Sequence, residues 1–162
     1  MNLLKRLSEL KFSRLWRLAW IGVKNPLLVM PTHRATNQTM RICNKLYGES
    51  HHGDNRANAI RHALWNILIA QKTIKTLKTQ EKAISWAEHI TSLHEELMPN
   101  RPLEKAMDLH NNEVGRIFFP ELQDSSKEEI IEYLEKKASE AVKIKTVEDV
   151  TDFKGVLVYL EE

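Results

Sequence analysis

Residues 55–71 read NRANAIRHALWNILIAQ. At about 100° per residue, Ala57, Ile60, Leu64 and Ile67 fall on one side of a helix. The opposite side carries Asn58, His62, Trp65, Asn66 and Ile69. Asn58, His62 and Asn66 follow one another at intervals of four, so they form a row, and that row holds none of the Lys or Glu that a solvated face carries. The stretch therefore predicts a helix buried on both sides. A chain organised around it is an all-α bundle.

The same periodicity extends outward in both directions. It predicts helices over 54–77, 80–97, 102–119 and 125–142 on one side, and over 2–10, 13–23 and 33–47 on the other. Pro102 sits where a first-turn proline is tolerated, Pro120 is expected to end the helix before it, and Gly48 supplies a stop. Ser125 or Ser126 with Glu128 or Glu129 forms a capping box. KNPLLVMPTH, at 24–33, reads as a connector punctuated by Pro26 and Pro31. The tail FKGVLVYLEE is strand-like in composition but has no obvious partner strand, so it is expected to pack as an extended arm.

The 162 residues are expected to form a single domain, 1–162. Within it, 1–31 is a basic amphipathic segment, 33–142 the helical core and 143–162 the arm. With 42% hydrophobic and 28% charged residues the chain is ordinary for a globular protein, and five Gly argue against a turn-dense β fold. One cysteine, Cys43, excludes an intrachain disulfide framework and fits a reducing compartment.

The formal charge of +2 hides an asymmetry. Residues 1–24 carry six basic groups against Glu9 alone, whereas 121–162 carry six Lys against twelve acidic groups. Leu3, Leu4, Leu7 and Leu10 share a side, and Trp16 and Trp20 follow. This segment reads as a docking helix that packs on the body or on a protein partner, with an anionic membrane surface as the alternative. No stretch has the form of a signal peptide or reaches spanning length, which predicts a cytoplasmic chain or one peripheral to a membrane. No nucleic-acid motif is present.

Two further helices turn polar groups toward their apolar stripes. In 81–98, His94 falls within the stripe of Ala83, Trp86, Ala87, Ile90, Leu93 and Leu97, and Glu95 lies at its edge; Glu88 and His89 project outward. In 107–116, MDLHNNEVGR, His110 and Asn111 fall within the stripe of Met107, Val114 and Phe118, flanked by Asp108 and Asn112. His62, His94 and His110 are thus each predicted to point inward, with Asp108 and Glu95 nearest to them. Imidazole, amide and carboxylate groups cost several kcal/mol to bury unless bonded or bound to metal.

Two readings meet that requirement. In the first, one divalent ion, zinc, manganese or iron, is held by His62, His94, His110 and Asp108. Glu95 acts as general base, Asp108 and His110 share in catalysis, and Asn58, Trp65, Asn66, Asn111, Asn112 and Arg116 form the polar surround, with Asn58, Asn66 and Asn111 orienting the ligands. The reaction class is then hydrolysis of a phosphoester or ester. In the second, the same groups form a structural network in a non-catalytic protein-binding module. HEELM is no metalloprotease signature, because Met98 stands where a second histidine belongs. Asp54 in HHGD is read as a helix cap, and Arg61 and Arg116 as ion-paired or as holding an anionic group.

HHGD (51–54), NRANAIRHALWN (55–66) and HEELMPNRPLEKAMDLHNNEVGR (94–116) together resemble a family of uncharacterised bacterial helical domains, also found attached to larger secreted or toxin-like proteins. Its pattern is close to "ANAFRHAxWN … HE … MDLHNNxxGR", and the likeness covers about residues 45–119. By that resemblance His62, Trp65, Asn66, His94, Glu95, Asp108, His110, Asn111, Asn112, Gly115 and Arg116 occupy motif positions. The resemblance implies a helical fold and a motif set, and no activity.

Overall fold

A computed structural model describes residues 12–98 and 100–161 of the chain. The expected helix at 2–10 lies outside the described residues. The described residues form six α-helices that pack together: α1 (Phe12–Lys24), α2 (Pro26–Tyr47), α3 (Arg56–Leu77), α4 (Gln80–Leu97), α5 (Pro102–Leu122) and α6 (Lys127–Ser139). Two short strands follow, β1 (Val142–Lys143) and β2 (Val158–Tyr159). No helix among the described residues is long and apolar enough to cross a membrane.

α3 is the central helix and packs against α2, α4, α5 and α6. Its small residues Ala59, Ala63 and Ala70 let the neighbours approach, while Ile60, Leu64, Ile67 and Leu68 fill the gaps between them. From the surrounding helices Phe119, Ile130 and Leu134 close the core. α3 and α5 approach closely at Gly115 of α5, where an added Cβ would lie 2.4 Å from the Ala63 carbonyl oxygen. A helix-interior glycine costs about 1 kcal/mol in propensity. Here it lets two backbones touch.

Side chains fasten the outer helices to α3. Trp65 donates its indole N–H to Thr36 Oγ1 and Trp86 donates to Thr32 Oγ1, tying α3 and α4 to α2. Gln71 Nε2 reaches the carbonyls of Leu122, Gln123 and Ser125 where α5 turns into α6. Ser126 and Glu129 form the expected capping box, and Gly48 ends α2 with φ of 57°.

Four expectations are corrected. The connector is helix: α2 begins at Pro26 and runs through Pro31. An interior proline removes one backbone bond, and burial of Leu28, Ala35, Thr39, Ile42 and Cys43 along the same helix outweighs that loss. Pro120 does not end α5, which continues to Leu122 because Phe119 and Leu122 are buried and Gln71 binds the terminal carbonyls. Asn55, not Asp54, caps α3, accepting from the Asn58 amide. The tail does have a strand partner, since β2 pairs in parallel with β1, Val142 opposite Val158. Parallel pairing needs a crossover, which here passes through a turn of 3-10 helix at Glu148–Asp152.

Candidate functional site

The polar residues of α5 divide between two sides of the helix. Asp108 and Asn112, one turn apart, meet α3 and α4; His110 and Asn111 meet the C-terminal arm. On the first side His62, Glu95 and Asp108, all buried, each offer a ligand atom within 4.8 Å of the others. His62 Nε2 lies 3.2 Å from Asp108 Oδ1, and His62 Nδ1 lies 3.7 Å from Glu95 Oε1.

Hydrogen bonds decide which His62 nitrogen carries its proton. Asn66 Nδ2 donates to the His62 carbonyl at 3.0 Å, while Asn66 Oδ1 accepts from Arg116 at 3.2 Å, so the Asn66 amide has one orientation. The same Nδ2 donates to Asn112 Oδ1 at 2.8 Å. Asn112 Oδ1 is therefore an acceptor, and its other partner, His62 Nδ1 at 3.2 Å, must be a donor. The Asn112 Nδ2 group in turn donates to Glu95 Oε1 at 3.3 Å. His62 is thus protonated on Nδ1 and presents the Nε2 lone pair.

That lone pair meets an unusual neighbourhood. Arg61 Nη2 approaches it at 2.8 Å, while Arg61 Nη1 donates to the His51 carbonyl at 2.7 Å. Asp108 Oδ1 faces the same nitrogen and has no hydrogen-bond donor, although Oδ2 accepts from Asn100 at 3.1 Å. An ionised carboxylate oxygen and an imidazole lone pair repel one another. The pair becomes favourable if the Asp108 carboxyl is protonated or a cation lies between them.

Burial raises both carboxyls. The Asp108 carboxyl is pushed up to about 8, chiefly by loss of water and then by the nearby Glu95 charge, against the opposing pull of Arg61. Glu95 is raised to about 7 by burial, moderated by the Asn112 bond and by Arg61. His62 is held neutral by burial and by the Arg61 charge. Two raised carboxyls beside a neutral imidazole mark a candidate functional site.

Several residues expected at this site work elsewhere. His110 does not join His62: its Nε2 donates to the Val156 carbonyl at 2.8 Å, anchoring the arm. Asn111 is not an orienter of ligands. It is fully occupied by β2, donating to the Val158 carbonyl and accepting from the Val158 amide, both at 2.9 Å. His94 is half-buried with its ring edge-on to Trp65 at 5.1 Å, outside the ligand group. Trp65 itself serves α2, as described above. Asn58 acts at the entry to α3, donating to the Gly53 carbonyl at 2.5 Å. The three imidazoles therefore share no single ligand set.

Arg61 is the residue whose part at the site was not read from the sequence. Its guanidinium stands against the imidazole and the His51 carbonyl. Its signal was its place beside His62 on a helix buried on both sides. Arg116 reaches the network from the outside: Nη1 binds Asn66, Nη2 lies 3.7 Å from Glu88, and the side chain lines a shallow surface depression with Ile84, Glu113 and Ile117.

Residues 19–142 match a family model described as a domain of unknown function (DUF6973), and the chain belongs to that family. No curated protein and no solved structure matches the chain.

Proposed function

We propose that His62, Glu95 and Asp108 hold a divalent metal ion and that the protein is a metal-dependent hydrolase of phosphoesters or esters. The observation that carries this is the convergence of one imidazole nitrogen and two carboxylate oxygens within 4.8 Å. One imidazole with two carboxylates suits zinc, manganese or iron. An ion there supplies a water of lowered pKa as the nucleophile.

The surrounding residues fit the role. Asn112 orients two of the three ligands at once, accepting from His62 and donating to Glu95. Asn100 orients the third through Asp108 Oδ2. A cation gives Asp108 Oδ1 the partner it lacks and draws both carboxyls toward their ionised forms. Arg61 must leave His62 Nε2 for the ion to enter, and its fork then suits an anionic substrate oxygen.

A second reading rests on Arg61. With its guanidinium against His62 Nε2, the arginine is itself the cation of the site, and the polar core is a structural network in a protein-binding module. Assay of tag-free protein on nitrophenyl phosphate and acetate esters separates the two. After chelation and reloading with zinc, manganese or iron, the first reading predicts metal-dependent turnover that Glu95→Gln and Asp108→Asn abolish. Folded protein that takes up none of these metals and turns over neither ester favours the second.

A further inference from the structure

We infer that α1 and the first half of α2 form a docking face for an anionic lipid surface. The apolar side chains there are exposed in a run: Trp16 at 68%, Trp20 at 56%, Val23 at 71%, Leu27 at 74% and Met30 at 54%. Trp16, Trp20 and Val23 recur at helical spacing on α1, so they share a face; Leu27 and Met30 share one on α2. None of these five side chains packs into the body of the bundle. Monomeric proteins seldom leave so much apolar surface to water without using it.

Charge selects the partner. From residue 10 to residue 48 the chain has no Asp or Glu and seven Lys or Arg. Exposed Arg34 and Arg41 continue the stripe of Leu27 and Met30, and Lys24 lies 5.1 Å from the centre of the Trp20 ring. Tryptophan, aliphatic side chains and flanking cations on one helical face suit the boundary between lipid headgroups and acyl chains. A second copy docking through the same face would bring two such basic runs together. Phosphatidylserine-type headgroups neutralise them.

The test uses the full chain and vesicles of phosphatidylcholine with or without phosphatidylserine. Binding is expected to the phosphatidylserine vesicles and to weaken as salt rises. It should fall about tenfold or more in W16S/W20S and again in R34E/R41E, with helical circular dichroism unchanged because all four side chains are exposed. Failure to bind, equal binding to vesicles without phosphatidylserine, or variants that bind like the parent would overturn the inference. So would self-association in sedimentation equilibrium that W16S/W20S removes while vesicle binding persists, which would assign the face to a second copy.

Discussion

Asp108 and His110 stand two positions apart on α5 and take unrelated partners, His62 for the first and the Val156 carbonyl for the second. Their substitutions should therefore separate cleanly. Asp108→Ala is expected to remove metal binding while the helices remain, because one of the three proposed ligands goes and an unpaired buried oxygen goes with it. His110→Ala should leave metal content unchanged and destabilise the fold by about 1–3 kcal/mol, through the Val156 carbonyl left without its donor. Metal content and denaturant melts on the two variants check this; loss of metal in His110→Ala would contradict the assignment. At Gly115 the effect is steric. Gly115→Ala places a Cβ 2.4 Å from backbone that cannot yield, so α3 and α5 must part, at a cost of about 1–3 kcal/mol or more in a melt. The same separation would draw Asn112 away from His62, so metal affinity should fall with stability.

At the scale of elements, the arm is held to α5 by His110 and Asn111 and to the start of α3 by Asp54, whose carbonyl accepts from the Leu160 and Glu161 amides. Asn111→Ala removes both of its bonds to Val158, and hydrogen exchange at the Val158 amide should accelerate while amides in the middle of α3 stay protected. Uniform acceleration would show that arm and bundle open together. The helices of the bundle were legible because their stripes repeat over many residues. The start of α2 was not, because Pro26 and Pro31 imitate a connector and only burial of Leu28 shows that the helix expected over 33–47 already runs there. The strand pair was not legible either, since each strand has two residues and the partners lie on either side of a crossover. Inward-facing polar groups on α3, α4 and α5 were visible, whereas their division between a ligand group and an arm anchor was not. Spacing places His110 on a buried face. It does not say which neighbour covers that face.

For the whole molecule, the carboxyls make stability depend on pH and metal together. In the ion-free folded chain Glu95 and Asp108 ionise near 7 and 8, against ordinary values of 4.5 and 3.8. The folded state thus keeps protons that the unfolded state has released. The stability these two carboxyls contribute is complete below about pH 4 and is lost as pH rises toward 8. A bound cation reverses the sign, because it favours the ionised carboxyls, so metal affinity should rise across the same interval. Thermal melts at pH 5 and pH 8, with and without metal, check both slopes.

The most direct test of the central claim is the metal stoichiometry of tag-free protein, measured by elemental analysis after equilibration with zinc, manganese or iron at about pH 8 and removal of free ion. One ion per chain is expected in the parent protein and none in His62→Ala or Asp108→Ala, with the helical signal retained in all three. A folded parent chain that retains none of the three metals, or variants that bind as the parent does, would contradict that claim.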